Sequence, residues 1–180
     1  MITQGVIIVG VMPTYDDELL LELLNTTSVE AGAHTDLLGS DDDATAWTSA
    51  RGGSGTSAEA ATVRAARNLL RDAALGDAKP EALTQFLQGA TMVPTVEAGG
   101  LQWRLHAPAD DLVAVRAVLA WFDLEESRPG RLRACGNPDC RRFLIDRSPG
   151  NRAQWCSMAV CGNRMKARRH YQRKRQAVSG

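Results

Sequence analysis

No cysteine occurs before residue 135 of this 180-residue sequence. The first 130 residues therefore contain neither a disulfide framework nor a thiolate metal site. Long apolar runs are also missing: the longest spans residues 6–12, well short of the roughly 18 residues that a membrane-spanning helix needs. The opening residues lack the basic stretch and the cleavage site of a secretory signal, so we expect a cytoplasmic protein without a membrane partner.

Acidic residues are scarce at the end of the chain and abundant before it. Residues 128–180, the basic segment, contain 14 Lys and Arg but 2 Asp and Glu, a net charge of +12. Residues 1–127, the acidic segment, contain 7 Lys and Arg and 19 Asp and Glu, which gives a net charge of −12. This asymmetry predicts an anionic partner for the basic segment, most often nucleic acid. We predict two domains with these bounds, joined by the Ser-Arg-Pro-Gly sequence at residues 127–130.

The apolar pattern of the acidic segment predicts a mainly helical domain with one small hairpin. Helices are expected over residues 16–25, 44–50, 56–75, 81–88 and 110–126, and the hairpin over residues 91–97 and 101–106. Residues 5–11 are either a buried strand or an unstructured leader, and residues 26–39 are predicted to be a polar connection. The whole chain is therefore expected to have a mainly α (α+β) fold.

The basic segment holds two cysteine pairs with the spacing C-x4-C-x15-C-x4-C: Cys135, Cys140, Cys156 and Cys161. Two short-spaced pairs separated by the length of a hairpin suit tetrahedral Zn²⁺, and the turn residues 136–138 allow the first loop to fold back. We expect residues 142–146 and 151–155 to form that hairpin. A helix whose first turn contains Cys161 would complete a treble-clef-like zinc finger.

One structural zinc ion is the predicted cofactor because so short a segment buries too little apolar surface to fold alone. Its only substantial core candidates are Phe143, Ile145, Trp155 and Met158. Two disulfides are an alternative, which a reducing cytoplasm disfavours. Catalytic zinc is a second alternative, but four thiolates leave no open coordination position.

Residues 163–176 follow the last cysteine and predict a helix that is polar on every face. Cations occur around its whole circumference: Arg164, Lys166, Arg168, Arg169, Arg173, Lys174 and Arg175. Contact with phosphates would make this charge density favourable, whereas the alternative is a solvated, frayed tail. With Arg142 and Arg152, these seven residues are the predicted contacts to duplex DNA.

The sequence Cys161-Gly162-Asn163-Arg164, together with residues 155–158, resembles the CGNR-type zinc finger. The resemblance covers residues 132–175. In that family the finger follows an ABATE-type domain, assigned to stress-induced transcription regulation, and the acidic segment is similar to it at residues 20–26 and 36–47. The resemblance implies that the four cysteines bind zinc and that the finger binds DNA.

These observations predict a DNA-binding transcription regulator whose acidic segment senses a small-molecule effector or mediates assembly, for example as a homodimer. No enzyme activity is expected because the three histidines are too scattered in sequence to form a catalytic set. The alternative function is a module that binds protein or RNA without sequence-specific recognition of DNA. Salt dependence and competition between duplex DNA and RNA separate these functions.

Overall fold

The computed structural model describes residues 4–9, 16–30 and 32–178. In these residues the elements are β1 (Gln4–Val9), α1 (Asp17–Leu24), β2 (Thr27–Glu30), β3 (Ala33–Asp36), α2 (Asp41–Ser49), α3 (Ser57–Leu75), a 3₁₀ helix (Pro80–Leu87), β4 (Thr91–Glu97), β5 (Gly100–Pro108), α4 (Leu112–Ser127), β6 (Leu132–Ala134), β7 (Phe143–Ile145), a π-helical turn (Met158–Gly162) and α5 (Asn163–Val178). Helices with small antiparallel sheets confirm the predicted α+β class. None of the helices in these ranges has both the length and the apolar character needed to cross a bilayer.

The helices of the acidic segment begin and end at the residues that local chemistry favours. Side-chain oxygens of Asp16, Ser40 and Thr56 each accept a hydrogen bond from the backbone N–H three residues further along, at 2.9, 3.1 and 3.1 Å. Helix α3 ends at Gly76, whose φ of +81° lies in the left-handed region that glycine adopts without a steric penalty. The predicted helix boundaries are therefore confirmed to within a few residues.

Two stretches of the acidic segment differ from the prediction. Residues 26–39 are not merely a polar connection, because β2 and β3 pair there as an antiparallel hairpin around Gly32, with φ of +87°. Every described residue of β3 is exposed, so this strand carries no apolar alternation that the sequence could reveal. The helix predicted over residues 81–88 is a 3₁₀ helix that begins at Pro80.

A three-stranded sheet in the order β1-β5-β4 covers one end of the acidic segment. The strand that was one of two predictions for residues 5–11 is confirmed over residues 4–9, which pair with β5; residues 10 and 11 lie outside the described residues. The predicted hairpin is also confirmed as β4 and β5. Leu105 and Ala107 of β5 pack on Leu112 and Val115 of α4 in a small core beneath the sheet.

A larger hydrophobic core joins the two segments. Helices α1, α3 and α4 contribute fully buried leucine, valine and alanine side chains to it. Leu132 of β6 and Phe143 and Ile145 of β7 lie in the same core, and Phe143 is only 2% exposed. The basic segment therefore shares its apolar residues with the acidic segment. Whether residues 1–127 and 128–180 fold independently stays a prediction.

Polar contacts fix the orientation of β7 on the acidic segment. The amide of Asn25, at the end of α1, accepts a hydrogen bond from the Phe143 N–H at 2.7 Å and donates one to the Phe143 carbonyl at 3.2 Å. The guanidinium of Arg71 donates to the carbonyls of Leu24 and Arg141, and it lies 4.9 Å from the centre of the Phe143 ring. One side-chain amide thus serves both backbone groups of a residue far away in sequence.

Candidate metal centre and basic helix

The first cysteine pair lies in a loop between two short paired strands. Leu132 pairs with Ile145 and Ala134 with Phe143, so β6 and β7 form a hairpin around this loop. The N–H of Cys135 donates to the carbonyl of Arg142 at 2.8 Å and closes it. The predicted hairpin of residues 142–146 with residues 151–155 is therefore wrong, because β6 is the partner of β7.

A buried carboxylate explains why residues 151–155 do not form the expected strand. Asp146, 2% exposed, accepts hydrogen bonds from the N–H groups of Ser148 at 2.8 Å and Ala153 at 2.7 Å, and from Arg133 at 3.0 Å. These bonds fold residues 147–153 into a turn instead of an extended strand. Burial favours a higher pKa for Asp146, but the hydrogen bonds from Ser148 and Ala153 and the charge of Arg133 lower the pKa below its ordinary value.

The four sulfurs converge, and each lies within 4.8 Å of every other. The Sγ of Cys156 is 3.7 Å from the Sγ of Cys140 and 3.7 Å from the Sγ of Cys161. A tetrahedral zinc ion with Zn–S bonds of about 2.3 Å requires sulfurs about 3.8 Å apart. All four cysteines are free thiols rather than disulfides, so the donor set and its geometry both fit one zinc ion.

The surrounding backbone and side chains donate hydrogen bonds to these sulfurs. The fully buried amide of Asn137 donates to Cys161 Sγ at 3.5 Å, and the Cys156 N–H donates to Cys135 Sγ at 3.4 Å. Without a cation, burial raises the pKa of the Cys140 and Cys156 thiols. Burial also favours a higher pKa for Cys161, but its hydrogen bonds with Asn137 and with the other thiols outweigh burial and lower the pKa. Bound Zn²⁺ compensates the cost of burying four thiolates.

Most of the basic segment matches the model of a known protein family. Residues 131–174 match the family model of the CGNR zinc finger. The four cysteines thus form the zinc site of a zinc finger, and the predicted cofactor is confirmed. No curated protein matches the chain.

The CGNR motif has a packing role that follows from the geometry of the finger. Cys161 supplies the last ligand within the π-helical turn that leads into α5. A Cβ added at Gly162 would lie 2.8 Å from the sulfur of Met158 and 3.2 Å from the Trp155 ring, so only glycine lets this ring approach the ligand turn. On its other side, the ring would lie 3.2 Å from a Cβ at Gly136. Trp155 therefore packs between the two ligand loops.

The predicted core of the finger divides into two parts. Phe143 and Ile145 lie in the core shared with the acidic segment. Trp155 is half-buried beside the cysteines, whereas Met158 is 52% exposed. The cysteine loops therefore have little apolar burial of their own, and their dependence on the metal stays a prediction.

Helix α5 extends away from the finger after its first turn. Every residue from 166 to 176 is exposed. Near its start, Arg168 forms an ion pair with Asp139 at 3.3 Å, and the guanidinium of Arg169 lies 5.9 Å from the centre of the Trp155 ring. At about 1.5 Å per residue, the 16 residues of α5 span about 24 Å.

The structure distributes the predicted DNA contacts over two places. All seven cations of α5 and Arg152 are exposed. Arg142 is half-buried, and it lines a cavity of about 270 Å³ beside Cys140 together with Arg164. The contact of these residues with DNA stays a prediction.

Sequence reasoning missed three residues that organise the finger. Asn137 was predicted only as a turn residue, but it also donates to a ligand sulfur. Asn25 and Arg71 lie in the acidic segment, and both bind backbone groups of the basic segment. The signal for Asn137 was its position inside a ligand loop, whereas no local signal links Asn25 and Arg71 to residues 118 and 70 positions away.

Proposed function

We propose that the protein is a transcription regulator that binds duplex DNA through α5, with the zinc finger as the rigid base of that helix. The observation that carries this proposal is that every residue from 166 to 176 is exposed on a helix rich in Lys and Arg. Duplex DNA carries one negative charge per roughly 1.7 Å of its axis, so a helix of this length meets many phosphates. Binding rather than catalysis is the proposed role, since four sulfur ligands leave zinc no open position.

The charge pattern within α5 favours an anionic partner over a merely solvated tail. Arg164 and Arg168 lie four positions apart, as do Arg169 and Arg173, so like charges are neighbours on the same helix face. Each such pair destabilises an isolated helix by about 0.2–0.5 kcal/mol. Bound phosphates remove this repulsion and release counterions, which favours binding.

We propose that the acidic segment is an ABATE-type domain that senses an effector or mediates assembly. The residues that carry the resemblance have structural roles that fit a domain that transmits an effector signal to the finger. Asn25 binds β7 of the finger, and Thr26 accepts a hydrogen bond from the buried Arg67 at 3.1 Å. Residues 20–26 thus contact the zinc finger that carries the proposed DNA-binding helix.

The test is the salt dependence of binding to duplex DNA by the full-length, zinc-loaded protein. The double variant R168A/R169A removes two proposed phosphate contacts, which should flatten the slope of log K against log salt by about 1.8, from about 0.9 per phosphate. The double variant Q172A/Q176A alters two exposed, neutral residues of the same helix and should leave the slope unchanged. An unchanged slope and affinity for R168A/R169A would exclude α5 as the contact surface. Tighter binding of structured RNA than of duplex DNA would favour the alternative function.

A further inference from the structure

Arg71 is a buried cation at the junction of the two segments. It is 9% exposed, and its guanidinium donates to two backbone carbonyls, those of Leu24 and Arg141. Arg67, one turn earlier on α3, instead forms an ion pair with Asp36 at 2.5 Å. Arg71 forms no ion pair with any carboxylate whose side chain the structure describes. Its charge is therefore partly solvated by carbonyl dipoles but not neutralised.

A polar cavity of about 270 Å³ lies against this arginine. Its walls are residues 27–28 and 34–36 of the β2–β3 hairpin, Asn68 and Arg71 of α3, and Arg141 of the basic segment. All of these side chains are polar or charged. The volume is close to the lower end of the roughly 300–1,000 Å³ of small-molecule sites.

The unpaired groups around the cavity favour an anion. The Oγ1 of Thr27 is buried and has no hydrogen-bond partner among the described atoms. Two arginines line the cavity, whereas Asp36, the one acidic residue among its described lining residues, is already paired with Arg67. Burial, and then the neighbouring charges of Arg141 and Arg67, lower the pKa of Arg71, although Asp72 and Asp36 act in the opposite direction.

We propose that this cavity binds a small organic oxyanion, a carboxylate or a phosphate, which bridges Arg71 of the acidic segment and Arg141 of the basic segment. Charge-assisted hydrogen bonds from two guanidiniums and the Thr27 hydroxyl would hold it. Because the bound anion touches both segments, it fixes the finger relative to the helices that support it. This regulatory consequence rests on the proposed function, whereas the binding site itself does not.

Anion binding is tested on the full-length, zinc-loaded protein without DNA. Thermal unfolding is followed at constant ionic strength while chloride is replaced by malonate, the carboxylate probe, or by inorganic phosphate. A ligand that binds only the folded protein stabilises it in proportion to ln(1 + [L]/Kd). At least one probe should therefore give a saturable rise in melting temperature, and the stronger of the two identifies the class of oxyanion.

Three variants assign the site. R141A removes an exposed guanidinium from the cavity and should weaken binding about tenfold, the value of one charge-assisted hydrogen bond. T27V keeps the shape of the threonine but removes its hydroxyl, and should weaken binding several-fold. The control R147A removes the same charge from a side chain that is 59% exposed and does not line the cavity, and should bind as the wild type does. Equal stabilisation of wild type and R141A, or no saturable stabilisation by either probe, would overturn the proposal.

A separate measurement tests the regulatory consequence. Saturating anion should change the DNA affinity of the wild type several-fold more than that of R141A at matched ionic strength. Equal changes in the two proteins would overturn the effector role. If the wild type binds no DNA under any condition, only the proposed function is contradicted, because the anion site is tested without DNA.

Discussion

The acidic segment and the zinc finger obtain their stability from different sources. Helices α1, α3 and α4 bury continuous apolar faces against one another. The finger has two sources of stability. Its strands β6 and β7 pack in that same core, whereas its cysteine loops meet at the four sulfurs and pack on Trp155. In this finger the metal site therefore takes the place of a hydrophobic core only in the cysteine loops, because the helices already provide a core for β6 and β7.

Helices α3 and α5 make the same comparison at the level of single elements. One face of α3 is buried, including Val63, Ala66 and Leu70, and the exposed positions between them are alanine or polar residues such as Asn68. No residue from 166 to 176 of α5 is even half-buried. A helix without an apolar stripe gains little from packing on its own protein, and for this reason we propose an external partner for α5.

The largest effect is expected from loss of the metal. Replacing Cys161 with serine removes a ligand, and the variant should lose its single zinc ion and the order of the cysteine loops, because zinc-finger peptides gain about 10–16 kcal/mol from the metal. Metal analysis measures the first loss, and the change in near-UV circular dichroism, to which Trp155 contributes as one of four tryptophans, measures the second. The control is Ala159→Ser, which introduces serine at an exposed position of the same turn and leaves all four sulfurs in place. A metal-free finger that keeps its near-UV signal under reducing conditions would contradict the prediction.

The second effect tests the shared core. Phe143→Ala should cost about 3–5 kcal/mol, and a single urea transition should report it with probes of both segments. Val160→Ala, at a site in the same finger that is 56% exposed, should change stability by less than about 0.5 kcal/mol. Two separate transitions, with only the finger destabilised by Phe143→Ala, would instead support independent domains.

The smallest of the three effects concerns the contact between Asn25 and β7. Asn25→Ala leaves the N–H and the carbonyl of Phe143 without their partner, which should cost about 1–3 kcal/mol in urea unfolding. Asn163→Ala is the matched control, because the Asn163 side chain is exposed and donates only to the carbonyl of Ala159 at 3.3 Å. Equal stability of the two variants would show that the amide bonds are exchanged for water at no cost.

Sequence reasoning succeeded where the determinants are local. The capping residues Asp16, Ser40 and Thr56 act within three positions of themselves, and the cysteine spacing defines the ligand loops. It failed where distant residues decide. The partner of β7 depends on a turn built by Asp146 and on an amide 118 positions away, and neither produces a periodic pattern. The β2–β3 hairpin was missed for a related reason, since an exposed strand has no apolar alternation.

The amide of Asn25 also has a consequence for self-association. In the ladder of β6 and β7, Leu132–Ile145 and Ala134–Phe143 are facing pairs, and the backbone groups of Phe143 point away from β6. A two-stranded sheet that left these groups open would offer an edge to a strand of another molecule. The side-chain amide of Asn25 forms hydrogen bonds with these backbone groups, so they are no longer open to a strand of another molecule. The same two hydrogen bonds that hold β7 on α1 therefore occupy the backbone groups through which a further strand would pair.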